Sequence, residues 1–374
     1  MSTVIFYPLG NADSTLIKLD SGKFILFDFG NEGDPSDKTD KRIDLKKAVR
    51  DDIGWPEQKE IDVVAFTHGD NDHVAGASEI FWLNYSTTYQ DEDRIKIKEL
   101  WVPAHMIVET NVDGDNYIIR QEARHRLKEG KGIRVFSRPE ALSGWLAENG
   151  LTIEERGHLI TNAGKVTPGW TLDADGIEFF VHSPFAHRHD AGIEDRNQNC
   201  LVMQAVFRQE GDDDRRMLIT ADSNMEDWNL MVDITKAHAE KDAAKKDRLK
   251  WDIFKCPHHC SYTAMSDEKG ETKTKPSGQF EFLLSEGSKK SVMVSSSVVI
   301  PTTDEKQPPH FQTYNRYKET ADLLEADLRV TMEHPSALWP GRMIVKIDRN
   351  GVMLQKESIA AAVSITSQTS PRMG

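Results

Sequence analysis

Apolar and polar positions alternate over residues 4–8, 13–19 and 23–28, with Ser21-Gly22 between the second and third runs, which predicts a meander of short strands near the N-terminus. Residues 41–53 read as a helix, and 61–67 and 98–102 as strands. The polar stretch 84–97 reads as a loop that includes an edge strand. A helix over 117–129 and a strand at Ile133-Arg134-Val135-Phe136 follow. Residues 170–182 suggest a hairpin around Asp175-Gly176, leading into a loop rich in His, Arg and Asp at 183–198. Strands are expected at 200–207, 216–221 and 251–256, and a Ser-rich one at 292–297. Between these lies a long helical candidate from Met225 to about Leu249. The segment after Glu357 is poor in aromatics and rich in Ser, Thr and Ala, and residues 358–374 read as a disordered tail. No internal repeat is visible.

One run carries concentrated chemistry: Val63-Val64-Ala65-Phe66-Thr67-His68-Gly69-Asp70-Asn71-Asp72-His73-Val74-Ala75-Gly76. An apolar strand delivers His68, Asp70, Asp72 and His73 within six residues. Carboxylates and imidazoles crowded this tightly repel or desolvate one another unless a cation sits among them. His68 would lie where the chain leaves the sheet, and Asp72 and His73 would open the next helix, whose free N–H groups favour an anion. The plain alternative is a polar strand-to-helix loop with Asp70 and Asp72 as caps, but a cap needs one carboxylate and no histidines.

The pattern His-x-Asp-x-Asp-His resembles the metal-binding signature of the metallo-β-lactamase superfamily, in which the second position is more often His. Aspartate there is similar to the hydrolase domain of the DNA-uptake protein ComEC and its soluble relatives. Further landmarks stand in the same order over most of residues 4–353: Gly10-Asn11-Ala12-Asp13-Ser14 and Leu26-Phe27-Asp28-Phe29-Gly30, Asn197-Gln198-Asn199-Cys200, Leu218-Ile219-Thr220-Ala221-Asp222, Lys255-Cys256-Pro257-His258-His259-Cys260-Ser261, and Gly341-Arg342-Met343-Ile344-Val345. The resemblance implies an αββα sandwich, two mixed sheets face to face with helices outside and metals at one edge. It would span 1–357, with insertions near 84–135 and 225–250.

The same resemblance implies a ligand set. Asp222 takes the place of the carboxylate that bridges two metals, and His258 or His259 closes the second site, His259 being favoured. Asn199 stands where the common pattern has another histidine. With Asp70 it shifts the first site toward oxygen donors, which suits manganese or magnesium better than a histidine-rich zinc pocket. Two divalent ions are expected, zinc or manganese with magnesium as a harder substitute, the first held less tightly, and single occupancy stays open. Asp72 would orient the attacking water, and His310, after the Ser-rich strand, would donate to a phosphate or leaving group. His182 either lines the pocket or is a satisfied core histidine. His187 and His189 read as part of an exposed polar loop. Cys256 and Cys260 flank the histidine pair without the second pair that a structural zinc site requires, and they read as small fillers, as does Cys200.

Composition sets the frame for this chemistry. At 374 residues, 38% hydrophobic and 29% charged, the chain can bury one large core or two modest ones. No apolar run is long enough to span a bilayer, no signal-like segment opens the sequence, and three cysteines argue against a disulfide framework, so a cytoplasmic location is expected. A net charge of −14 disfavours a polyanion unless a basic groove is concentrated locally. The basic positions between Lys236 and Lys250 read as a solvated face or a nucleic-acid contact, and Lys269 to Lys275 as a stretch that overhangs the site. Three functions stay open: a DNA nuclease, with a partner protein in a defence or DNA-processing system; a hydrolase of a small phosphoester, nucleotide or other ester; and a non-catalytic binding module.

Overall fold

The computed structural model describes residues 1–185, 196–209, 211 and 213–355. The 358–374 tail and the histidines at 187 and 189 lie outside the described residues. Seventeen strands are numbered in chain order: β1 Ser2–Phe6, β2 Thr15–Lys18, β3 Phe24–Phe27, β4 Glu60–Ala65, β5 Lys96–Pro103, β6 Ile133–Phe136, β7 Ile160–Thr161, β8 Ile177–Ser183, β9 Val202–Phe207, β10 Arg215–Ile219, β11 Trp251–Lys255, β12 Gly287–Ser295, β13 Asp327–Val330, β14 Pro335–Ser336, β15 Trp339–Pro340, β16 Met343–Asp348 and β17 Gly351–Leu354. They form a nine-stranded sheet, β17-β16-β1-β2-β3-β4-β5-β6-β7, a six-stranded sheet, β13-β12-β11-β10-β9-β8, and the small hairpin β14-β15.

Alternation along the strands builds the layers. Val4 and Phe6, Ile25 and Phe27, Val63 and Ala65, and Met343 and Val345 face the second sheet, where Phe179, Met203, Ile219, Ile253 and Val292 meet them. Their neighbours Ile5, Leu26 and Val64 face the other way, against Leu45 and Val49 of the helix Leu45–Ile53, Ile119 and Leu127 of Gly114–Glu129, and Leu142 of Glu140–Glu148. Beyond the second sheet, Leu218, Phe254 and Met293 pack on Trp228, Phe280 and Tyr317 from Met225–Lys241, Gly278–Ser285 and Phe311–Leu324. This period of two is the physical cause of the sandwich, since each strand has an apolar residue for both of its faces. Each fully buried large side chain contributes about 1.5–3 kcal/mol. Trp101 of β5 sits at the centre of the inter-sheet layer, edge-on to Phe179 at 5.2 Å between centroids.

Several local expectations are corrected. There is no hairpin over 170–182: Leu172–Asp175 is a helical turn capped by Thr171, Gly176 reverses it in the left-handed region, and β8 pairs with β9 instead. Asp175 and Gly176 are turn-formers in either structure, so the dipeptide could not discriminate. The helix from Met225 stops at Lys241, where Asp242 is extended and caps a separate short turn, Ala243–Lys245. The helix near residue 41 begins only at Leu45, because the Asp44 side chain accepts from the Lys47 N–H. After the His68–His73 run there is no sustained helix, only the single turns Asn71–Val74 and Ala77–Ile80 broken by left-handed Gly76. Among the described residues no helix is long and apolar enough to cross a membrane.

Candidate metal centre

Parallel strands place the chemistry. Strand pairs β3–β4, β10–β11 and β11–β12 are parallel, so their C-terminal ends lie together and the chain leaves each sheet at the same edge. Asp28 follows β3, His68 follows β4, Asp222 follows β10, His258 and His259 follow β11, and Ser296 follows β12. Backbone hydrogen bonds stitch these loops into one frame. Asp13 N–H donates to Asp72 O (2.8 Å), Phe29 N–H to His73 O (2.8 Å), Leu201 N–H to Thr67 O (2.8 Å) and His258 N–H to Ala221 O (3.0 Å). Gly30 is required where the strands approach, because a β-carbon there would collide with the Asp72 carbonyl. Asp28, Ala221, His258, His259 and Cys260 all adopt positive φ, between 48° and 67°. Such strain persists only where surrounding contacts over-determine it, and here it gathers at the loops that present the ligands.

Asp13, His73, Asp222 and His259 are all buried and present ligand atoms within 4.8 Å of one another; His68, Asp72 and His73 form a second such group. His73 Nε2 lies 3.3 Å from Asp222 Oδ1 and 3.8 Å from Asp13 Oδ2. His259 Nε2 lies 3.2 Å from Asp72 Oδ2 and 3.4 Å from Asp222 Oδ2. His258 is peripheral, its Nε2 3.8 Å from Asp222 and its side chain 24% exposed. Of the pair, His259 is the ring turned inward to the carboxylates.

Each inner ring is fixed from behind. His73 Nδ1 donates to Asp28 Oδ2 at 2.9 Å, while Asp28 also accepts from Thr67 N–H and Oγ1 at 2.7 and 2.8 Å. His259 Nδ1 donates to the Ser296 carbonyl at 2.8 Å. In both rings this leaves Nε2 turned to the common centre. His68 Nδ1 has Thr67 Oγ1 at 3.2 Å.

The electrostatics show a centre short of positive charge. Burial would lower His73 and His259, but Asp28 and Asp222 hold His73 well above the usual imidazole range, and Asp222 with Asp72 raises His259 to about 10. Asp72 is held at about 2, burial being outweighed by His73 and His259. His68 and His258, by contrast, are lowered, chiefly by burial. Asp13 Oδ1, Asp222 Oδ1, His68 Nε2 and His73 Nε2 are buried with no hydrogen-bond partner among the described residues. Buried polar atoms of this kind are costly unless something satisfies them. Oxygen and imidazole donors converging with orphaned lone pairs fit a divalent cation.

Sequence reasoning missed several residues at this site. Lys255, at the end of apolar β11, reaches Asp13 Oδ2 at 2.5 Å with both side chains buried. Asp28 and Asp13 stand in motif-like segments, yet nothing in their local spacing assigns them a role. Asn116, from the helix Gly114–Glu129, packs so closely on Gly69 that a β-carbon there would strike its amide. Asp70 is not in either buried group: its Oδ1 accepts from Arg196 Nη1 at 2.7 Å, and its Oδ2 is 3.5 Å from His68 Nε2. Asn199 is buried on the turn Asn197–Asn199, two residues before the Leu201 bond to Thr67.

Two expected site residues are engaged elsewhere. His182 Nε2 donates to the Arg248 carbonyl at 2.9 Å, and burial lowers the ring to about 4, so it is a neutral core histidine. His310 Nδ1 accepts from the Tyr262 N–H at 3.3 Å and Nε2 lies 3.4 Å from the Lys306 carbonyl, so both ring nitrogens brace the loop after His259. All three cysteines are buried, and burial pushes their thiols up. Lys269 and Lys273 pair with Asp304 and Glu319, so neither is a free cation over the site.

No family model matches the chain, and no curated protein does. Among solved structures it is similar to a diphosphatase of the PhnP family (9% identity, 88% of this chain and 86% of that one, TM-score 0.34), to unliganded yeast PDE1 (13%, 88% and 97%, 0.43) and to the hydrolase AbOPH of the beta lactamase superfamily (13%, 56% and 55%, 0.22). The layers and strand registers themselves establish the αββα sandwich expected from the sequence, with a cluster of buried carboxylates and imidazoles at the edge where its two sheets meet.

Proposed function

We propose that the chain is a metal-dependent hydrolase of phosphodiesters, with DNA as the first substrate to test. The observation that carries this reading is the convergence of Asp13, His73, Asp222 and His259, with His68 and Asp72 beside them, on one centre with unsatisfied lone pairs. Asp72, His73, Asp222 and His259 would hold one zinc or manganese ion. His68 and the shared Asp72, with Asp70 and, as the resemblance implies, Asn199, would hold a second, for which magnesium is the harder substitute. Such ions, when bound, lower the pKa of water and stabilise negative charge on the attacked group.

The chain's own groups do the rest. Asp72 is the centre carboxylate that reaches solvent, 28% exposed, and stays ionised, so it accepts a hydrogen bond from the incoming water and aims it. His73 and His259 are held in one tautomer by Asp28 and Ser296. His258, neutral and at the mouth, is the donor for the leaving oxygen, the role expected of His310. The likeness to ComEC-type domains belongs to this proposal, as does a partner that supplies a basic surface for DNA. Pairing of Lys269 and Lys273 with acidic neighbours favours a second reading, a small phosphodiester.

The test incubates linear and circular DNA, and separately bis-p-nitrophenyl phosphate, with the manganese-loaded protein, with and without chelator, beside Asp72→Asn. Chelator-sensitive cleavage that Asp72→Asn abolishes is the expected outcome. Cleavage of the small diester alone selects the second reading. Turnover confined to a lactam or a thioester rejects both.

A further inference from the structure

Arg196 stands at the mouth of the centre and joins two carboxylates. Its Nη1 donates to Asp70 Oδ1 at 2.7 Å, while Nη2 and Nε reach Glu109 Oε1 at 2.6 and 2.7 Å. Arg196 and Asp70 remain about one-third exposed, at 31% and 34%, and Glu109 is nearly covered. A guanidinium cannot give up its charge, and its planar fork is matched to carboxylate and phosphate oxygens. Glu109 anchors the fork independently of Asp70, so the cation stays at the mouth whatever Asp70 does.

The donors around the outer, second ion position are then poorly matched to a dication. His68 offers an imidazole, and the carboxylate of Asp70, whose Oδ2 lies 3.5 Å from His68 Nε2, is already paired with Arg196. The carboxylate grouped with His68 is Asp72, and it is shared, because its Oδ2 also lies 3.2 Å from His259 of the inner position. The inner position keeps both Asp72 and Asp222 after Asp13 is paired with Lys255.

We propose that Arg196 is the resident positive charge of the outer half of the site: it competes with an ion for Asp70 and offers its exposed edge to an anionic oxygen of the substrate. This rests on the metal centre proposed above but not on hydrolysis. A single tightly held ion and one guanidinium then provide the two positive charges between which a phosphoryl group is held.

Titration calorimetry of the chelator-stripped full chain with manganese tests this, on wild type, Arg196→Gln and Arg196→Lys, followed by titration of the one-ion forms with inorganic phosphate. Wild type is expected to bind one ion tightly and a second at least about tenfold more weakly. R196Q should bind the second ion about tenfold or more tighter, because the competing cation is gone, and bind phosphate about tenfold more weakly. R196K keeps the charge without the fork and should fall between on both readings, which also protects the test against misfolding of R196Q. Two ions of like affinity in wild type, or a second-ion step and phosphate affinity unchanged in both variants, overturn the proposal while leaving the metal centre standing. Failure of wild type to bind any ion overturns both.

Discussion

Asp13 and Asp70 each share a carboxylate oxygen with a basic side chain, but Lys255 and Asp13 are sealed at 4% and 2% exposure, whereas Arg196 and Asp70 stand a third open. Around the inner pair every imidazole is fixed by a second partner, Asp28 for His73 and the Ser296 carbonyl for His259. In the outer half, buried His68 has the Thr67 hydroxyl, and Asp70 at the mouth has Arg196. The inner half is preorganised and costly to disturb. The outer half is adjustable, because water screens its charges and replaces its partners.

The largest expected effect separates the two halves. Asp222→Asn removes the inner carboxylate that lies against both His73 and His259, and kcat/KM should fall at least about a thousandfold with loss of ion uptake, read by steady-state kinetics and metal analysis. If Asp70→Asn did the same, the distinction between the halves would be broken. Next comes Lys255→Met, which leaves Asp13 buried without its partner. Urea unfolding of the chelated protein should lose about 3–5 kcal/mol, much of it regained in excess manganese, which supplies the missing charge. Asp28→Asn keeps the shape but weakens the hold on the His73 tautomer, and calorimetry should show manganese affinity reduced about 10- to 100-fold.

Proton linkage sharpens the same contrast. His73 and His259 are raised in the metal-free protein, and both must lose a proton to bind an ion. Inner-ion affinity should therefore rise with pH, by up to about tenfold per unit for each proton released, between the ordinary imidazole value and the value of about 10 for His259. Their contribution to the metal-free fold runs the other way: it is full below 6.5 and is lost as pH rises toward about 10. His68, being lowered, adds no such proton. Calorimetry in buffers of different ionisation enthalpy counts the protons released. The smallest effect is on stability at the mouth, where Asp70→Asn should change the urea midpoint by an amount equivalent to less than about 1 kcal/mol.

The strands around the site were legible because period-two alternation and the apolar run before His68 are local signals, and the crowding of His68, Asp70, Asp72 and His73 is legible for the same reason. Asp222 and the histidine pair, each after an apolar strand, were assigned by the resemblance. Lys255 was hidden because a lysine at a strand end ordinarily points to water, and only the fold brings Asp13 to it across 242 positions of sequence. Arg196 was read as part of an exposed polar loop, since nothing near it in sequence identifies Asp70 and Glu109 as its partners. His310 was assigned to the site by resemblance, but which way a ring faces depends on the Tyr262 and Lys306 backbone. The supposed hairpin at 170–182 shows the same limit, because Asp175-Gly176 closes a helical turn as readily as a strand pair.

The register of β1 has a consequence for biogenesis. Ser2–Phe6 pairs on one side with Thr15–Lys18, formed almost at once, but on the other with Met343–Asp348, near the end of the described chain. During ribosomal synthesis β1 keeps one bare edge until Met343–Asp348 has emerged, and the Asp13 turn that follows it waits for Lys255 and His259 as well. The buried ligand cluster thus closes only after His259 is made, and until Met343–Asp348 arrives the β1–β3 meander is a portion in need of chaperone cover.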